Sequence, residues 1–419
     1  MSRLLGAKNE PLEIDHSARD LDWSEYRARA IAEGESFLAK VDGAVDSIRS
    51  RRGVSEEQGR VSDETVEEMI STGLFRALTP LRYGGLEMAP AAFFEGVMRI
   101  AEADSSAAWI AGQLHCHSFE IALMSERMQD EFWADGPDTR ASSSFAPIGQ
   151  VTEVDGGFVL NGTWTFSSGV DHAQWVILGN RDKAHVVPIE DVAIDHNSWD
   201  VQGLKGTGSK AVTLEDVFVP EYRTHFFEDN YKDENLGWLV NNTPLYWCSF
   251  MSLFNSTPAN TAVGTSLNGI KTFIEQSKKR LTSQGTGSPV AQNPFLHLKV
   301  ATALSTVEAF RDRQLNSWRE LFDLACNGQD ATPERRMRLR FETANLIAVS
   351  FEQFAELWPV AGAAATSTAN PLQQTFRDLM AARNHGSAGR EMAAGAYVKE
   401  MFGLPAAPFK DFGTLAYYK

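Results

Sequence analysis

The sequence predicts a mainly α-helical protein with a central β domain. An N-terminal helical domain is expected over residues 1–137, a small antiparallel barrel or sandwich over 138–238 and a C-terminal four-helix bundle over 239–419. Three observations predict this. Apolar residues recur at helical spacing amid charges from Trp23 to Ser50. Near Phe145 the period changes, and short apolar runs flank the turn dipeptides Asp155-Gly156 and Asn161-Gly162. After about Leu239 the helical period returns over segments long enough for a bundle.

Taken in order, Tyr26, Ile31, Phe37, Val41 and Val45 form the stripe of the first helix, and Gly53 is expected to stop it. Ser62 reads as an N-cap, with Asp63 and Glu64 in a first turn where carboxylates complement the helix dipole, and Gly73 closes that helix. Pro90 to Ala103 is a third helix, rich in Ala and Phe. Val151–Val154, Phe158–Leu160 and Thr163–Phe166 read as strands joined by the two turn dipeptides, and Trp175–Leu178, His185–Pro188 and Ala211–Val219 continue the β region. Four helical segments follow, Ser266–Ser283, Pro294–Asn327, Pro333–Val360 and Pro371–Phe402, with Ala361–Ala369 as a turn between two of them.

Composition narrows the function. With 419 residues, 43% of them hydrophobic, the chain has ample core for two or three domains folding as one unit. Lys+Arg 39 against Asp+Glu 55 leaves a net charge of -16, which argues against nucleic acid or an anionic membrane as partner. Met1–Glu10 has no apolar run of the secretion type, and no later stretch is long and charge-free enough to span a bilayer, so a cytoplasmic protein is expected. Cys116, Cys248 and Cys326 are too few and scattered for a disulfide framework or structural zinc. His115-Cys116-His117 offers two histidines on different helix faces and no third ligand, so no metal site is expected. No Gly-x-Gly-x-x-Gly opens a helix after a strand, and Gly206-Thr207-Gly208-Ser209 precedes a strand instead, so a nicotinamide cofactor is not expected in the manner of a dinucleotide fold.

The chemistry-bearing residues gather in the β region. Ala141-Ser142-Ser143-Ser144-Phe145-Ala146-Pro147 and Trp164-Thr165-Phe166-Ser167-Ser168-Gly169-Val170-Asp171-His172 bring two hydroxyl clusters together with aromatic rings. Backbone N–H groups and serine hydroxyls can pair with the polar edge of a flat heterocycle, while Phe145, Trp164 and Phe166 supply apolar walls. The same residues also suit a Ser-rich turn followed by an ordinary hairpin.

An ordered set of motifs resolves the choice: Tyr83-Gly84-Gly85-Leu86; Trp109 and His117 before Asp130-Glu131-Phe132-Trp133; Ser142-Ser143-Ser144 with Pro147; Gly157 and Asn161-Gly162; Ser167-Ser168-Gly169 with Asp171-His172-Ala173; Gly206-Thr207-Gly208-Ser209; Val217-Phe218-Val219-Pro220; and Arg377-Asp378 with His385. Together they span about residues 60 to 405, and the chain resembles the two-component flavin monooxygenases of the acyl-CoA dehydrogenase fold.

That resemblance implies the oxygenase component of an aromatic hydroxylase, using FADH2 or FMNH2 delivered by a separate NAD(P)H:flavin reductase, with O2 as co-substrate and a flavin C4a-hydroperoxide as oxidant. It further implies a small aromatic substrate, a phenol in preference, and a homotetramer. By position, Ser168 matches the serine beside the flavin ring nitrogen, and His385 is placed on a C-terminal helix as a stabiliser of developing peroxide charge. His117 matches the base for the phenolic proton, Ser143 the residue bonding the substrate hydroxyl and Trp109 an aromatic wall. Ser142, Ser143, Ser144, Phe166, Ser167 and Ser168 are expected at the flavin edge, Arg280 at its phosphate, and Tyr246 to Phe254 at the substrate. Dehydrogenation lacks its base, because neither Leu379–Ser387 nor Leu236–Ile274 contains a carboxylate. Oxygenation of an indole or indole acid is the nearest alternative, followed by amine N-hydroxylation and, outside the enzymes, a flavin-free binding protein.

Overall fold

The structure is a computed structural model that describes residues 14–404, apart from 147, 181, 228, 230–233 and 283–286. Met1–Glu10, Pro147, Ser283 and the last fifteen positions, 405–419, therefore lie outside the described residues.

Five helices come first: α1 (Ser24–Gln58), α2 (Asp63–Thr72), α3 (Pro90–Ala101), α4 (Ser105–Ala122) and α5 (Glu126–Phe132). Gly53 does not stop α1. The helix runs through it to Gly59 at φ 64°, because the last turns have partners: Ser55 is buried and Glu56 pairs with Arg377 at 2.8 Å. Ser62 caps α2 by accepting from the Thr65 N–H, and Gly73 closes it at φ 87°. Helix α4 carries no amphipathic stripe to betray it, since every one of its residues is buried.

Two four-stranded sheets follow. One has the order β1 (Ala141–Ser144), β4 (Trp175–Asn180), β5 (Lys183–Pro188), β8 (Thr224–Phe226); the other has β2 (Gln150–Val154), β3 (Gly157–Ser167), β7 (Lys210–Pro220), β6 (Ala193–Asp195). All pairings are antiparallel except β1 with β4. The serine triplet is thus a strand rather than a loop. Asp155-Gly156 turns β2 into β3, but Asn161-Gly162 makes no turn: β3 continues through it with a register shift against β7. The Asn161 side chain donates to Asp216 Oδ1 and accepts from the Asp216 N–H, so its polar group serves the bulge instead. Trp164, expected as a wall of the site, is fully buried in the sandwich core and donates to the Gly179 carbonyl.

The remaining helices are α6 (Phe250–Lys278), α7 (Pro294–Cys326), α8 (Pro333–Ala355), α9 (Pro371–Arg383) and α10 (Arg390–Val398). Helix α6 begins well before Ser266, with Pro258 inside it, and is so thoroughly buried that its polar Ser, Thr and Asn residues conceal the period. The segment Pro371–Phe402 is interrupted. Beyond Arg383 the chain makes a tight turn over Gly386–Ala388, so His385 caps that turn and is not on a helix. One apolar core joins the N-terminal and C-terminal helices, and a second fills the space between the sheets.

Candidate active site

Helices α4 and α6 run antiparallel through the core. Gln113 donates to Thr257 Oγ1 at 2.8 Å, and Thr265 donates to Ser105 at 3.0 Å, which fixes their register. Trp109, Gln113 and His117 recur every fourth residue and so share one face of α4, with Trp109 and His117 about 12 Å apart along the axis. Each ends in a separate cluster.

At the Trp109 end, the indole N–H donates to Ser168 Oγ at 3.1 Å. Ser168 is 2.8 Å from Ser209 Oγ, which is 2.8 Å from Thr207 Oγ1, which donates to the Leu204 carbonyl. Each hydroxyl has one proton, so the chain has one direction: Thr207 gives to Leu204, Ser209 to Thr207 and Ser168 to Ser209. Ser168 therefore keeps an accepting lone pair and no spare proton. Its approach to α4 depends on Gly169, at φ 69°, where a Cβ would lie 3.1 Å from Leu114 Cδ1 and 3.2 Å from Ile110 Cβ. His385 packs edge-on against Trp109 with ring centroids 5.2 Å apart. Burial, with Arg340 nearby, pushes its imidazole down to about 4, so the ring is neutral at pH 7. Nδ1 accepts from the Ser387 N–H, which leaves the ring proton on Nε2 as a donor.

At the other end, His117 is fully buried and its Nδ1 lies 2.7 Å from Glu120 Oε2. Glu120 Oε1 lies 3.0 Å from Nδ1 of His225 on β8. Burial pushes the Glu120 carboxyl up, but the hydrogen bonds to His117 and His225 outweigh it and hold it below the ordinary carboxylate value. His117 Nε2 is buried with no hydrogen-bond partner. Around its ring stand Phe145, Phe250 and Phe254 at 5.7, 6.2 and 5.9 Å between centroids, and Phe227 packs on Phe145. Tyr246, at the start of the same stretch, packs on Phe119 instead and donates to the Leu78 carbonyl.

The triplet serines divide by strand alternation. Ser142 and Ser144 donate to the carbonyls of Ser168 and Thr165, so their hydroxyls tie β1 to the end of β3. Ser143 points the other way, to the side on which Phe145 meets His117. Ser167 Oγ is buried without a partner. Phe166 stands 67% exposed at φ 67°, an uncommon conformation for a bulky residue, with its edge on Trp199. Arg280 is not brought to either cluster. It donates to the carbonyls of Val360 and Ala361, roughly 28 Å along α6 from the level of Trp109. His115 is turned away from His117, where its Nε2 accepts from the Leu78 N–H.

Two residues of the His117 cluster were not singled out by the sequence. Glu120, the carboxylate beside His117, comes from α4 rather than from the α6 or α9 segments; its i, i+3 spacing from His117 was the available signal. His225 lies 105 residues away in the chain and gave none.

A reduced flavin fits the Trp109 end. Ser168 offers an acceptor to a ring N–H, His385 a neutral donor and Phe166 an apolar face already exposed.

Residues 257–389 match the family described as acyl-CoA dehydrogenase, C-terminal domain. The chain is 31% identical over 382 residues to the flavin-dependent monooxygenase oxygenase subunit HsaA of Mycobacterium tuberculosis, covering 89% of this chain and 97% of the relative. It is also 31% identical to the oxygenase component of p-hydroxyphenylacetate 3-hydroxylase of Acinetobacter baumannii, over 90% of this chain and 91% of that one. The crystal structure of the M. tuberculosis HsaA monooxygenase superposes with a TM-score of 0.84 at 31% identity, covering 89% of this chain and 99% of the other.

Proposed function

Because this chain belongs to the two-component flavin-dependent monooxygenases of the acyl-CoA dehydrogenase fold, we propose that it hydroxylates a small phenol beside its hydroxyl group, with His117 as base. As an oxygenase component it takes flavin already reduced by a separate reductase, with dioxygen as co-substrate. The observation that supports the phenol reading is His117 Nε2: a buried, unpartnered nitrogen among aromatic rings, on an imidazole whose other nitrogen is held by a carboxylate.

Bound reduced flavin supplies the electrons that make dioxygen an electrophile toward the ring. The protein's own part is to exclude water, orient both partners and manage one proton. Phe145, Phe250 and Phe254 wall the substrate end, where a phenol loses its proton to His117 Nε2 while the Ser143 hydroxyl orients the oxygen. Ser168 would accept from a flavin ring N–H, and His385 would turn its Nε2–H toward oxygen that gains negative charge, both at the Trp109 end of α4. Ser142, Ser144 and Ser167 would contribute backbone groups to the flavin edge, and Phe166 would cover it. Arg280 is assigned to the flavin phosphate of a neighbouring subunit in a homotetramer, a state that the exposed Phe295 and Leu298 on α7 support. Free Cys116, Cys248 and Cys326 suit a reducing cytoplasm.

The test is the single-turnover rate of His117→Ala across pH. With a phenol the rate should fall on the order of a hundredfold and recover in part as the phenol ionises unaided. An indole, with no proton to lose before attack, should show a smaller, pH-independent loss. Equal rates in variant and wild type with a phenol would remove the base assignment.

A further inference from the structure

We infer that Glu120 and His225 are positioning residues that hold His117 as a one-sided base, Nδ1 donating to the carboxylate and Nε2 open toward the phenol. The inference rests on the reading that a phenol docks at His117. An ionised carboxylate only accepts hydrogen bonds, so the two nitrogens facing it, His117 Nδ1 at 2.7 Å and His225 Nδ1 at 3.0 Å, must both be donors. Neutral His117 then carries its single proton on Nδ1, which leaves a lone pair on Nε2, the atom without a partner.

All three residues are buried, so the pairing acts in a low-dielectric environment. His225 arrives from β8 and fixes the carboxylate oxygen that His117 does not use, which prevents Glu120 from swinging away. Phe250 from α6 packs at a tilt against both imidazoles, with ring centroids 6.2 Å from His117 and 6.1 Å from His225.

The proton balance follows. The phenol O–H bond breaks, its proton joins His117 Nε2, and the resulting imidazolium is paired with Glu120; the cluster gains one positive charge as the phenolate takes one negative. Among the described residues, the titratable groups facing His117 are Glu120 from its own helix and His225 from β8, while Phe145 and, from α6, Phe250 and Phe254 carry no charge. Cys116, adjoining on α4, interacts with Glu120, and burial raises its thiol well above the ordinary value, so it stays neutral.

Full-length protein loaded anaerobically with reduced flavin, titrated with 4-nitrophenol across pH, tests this, because the phenol and phenolate forms differ in colour. Wild type should ionise the bound phenol at lower pH than the free one. Glu120→Gln should move that ionisation up by about one pH unit or more, roughly a tenfold loss of phenolate, and Glu120→Asp should restore part of it. Should Glu120→Gln fold poorly, His225→Phe removes the clamp while keeping a ring against Phe250, and should shift the ionisation in the same direction by less. Wild-type ionisation in Glu120→Gln and His225→Phe, with the shift abolished in His117→Ala, would overturn the inference and leave the base assignment standing. Wild-type ionisation in His117→Ala as well would remove both.

Discussion

The Trp109 indole N–H reaches the Ser168 hydroxyl across 3.1 Å, joining the second turn of the buried α4 to the end of β3. Ser168 is thereby oriented as an acceptor. Ser168→Ala should remove about 1 kcal/mol from the hold on the flavin ring N–H and leave the indole donor unsatisfied. The expected outcome is flavin oxidation at near wild-type rate with roughly five- to tenfold more hydrogen peroxide released per product formed. A peroxide assay against product yield measures it, and unchanged coupling would exclude the role.

Gly169 lets that contact form. An added Cβ would press on Leu114 and Ile110 of α4, and φ 69° is strained for any other residue but Asn or Asp. Gly169→Ala should cost about 1–3 kcal/mol of stability and lower coupling as in Ser168→Ala. Thermal melts and the same peroxide assay check both effects, and lost stability with intact coupling would show that Ser168 is held by other means.

Asp378 governs the loop beneath the hydroxyl chain. Its Oδ1 accepts from the Leu204 N–H at 2.7 Å, and Leu204 itself sits at φ 54°. Burial pushes the carboxyl up to about 7, so its contribution to stability is full below about 3.9 and is lost as pH rises through 7. Asp378→Asn keeps an acceptor and removes the charge. It should melt above wild type at pH 8, with the gap closing by pH 5; melting curves at the two values decide.

Burial acts in the opposite sense on His115, whose imidazole is pushed down to about 3. Its contribution is full above pH 6.5 and is lost as pH falls toward 3, with a slope of at most about 1.4 kcal/mol per pH unit. His115→Gln keeps an acceptor for the Leu78 N–H and should flatten the acid limb of the stability curve. Denaturant melts between pH 7 and 4.5 measure the slope, and an unaltered limb would exclude His115 as a source of acid sensitivity.

Amphipathic and capped elements were readable along the chain. Ser62 and Gly73 bound α2 by local hydrogen bonding and a left-handed turn, which depend on neighbours in sequence. Elements without a solvent side were not. Helix α4 and the first half of α6 are buried all round, so their polar and apolar residues carry no period. Asn161-Gly162 was misleading because β7 supplies Asp216 as partner to Asn161, and no local pattern reveals that a strand will run through a turn dipeptide.

Of the candidate site, the sequence by itself determined which side chains stand as candidates: His117, Ser143, Ser168, Trp109 and His385 lie in segments whose order marks the family. Only the tertiary structure decided their states. Whether a serine donates or accepts, which nitrogen of a histidine bears the proton, and whether Ser142 faces a cofactor or the Ser168 carbonyl depend on groups that folding brings from distant parts of the chain. Glu120 is held on both oxygens because His225, 105 residues on, meets the one that His117 does not. A residue's chemical type is local, but its proton and its partner are set by the field and geometry of everything packed against it.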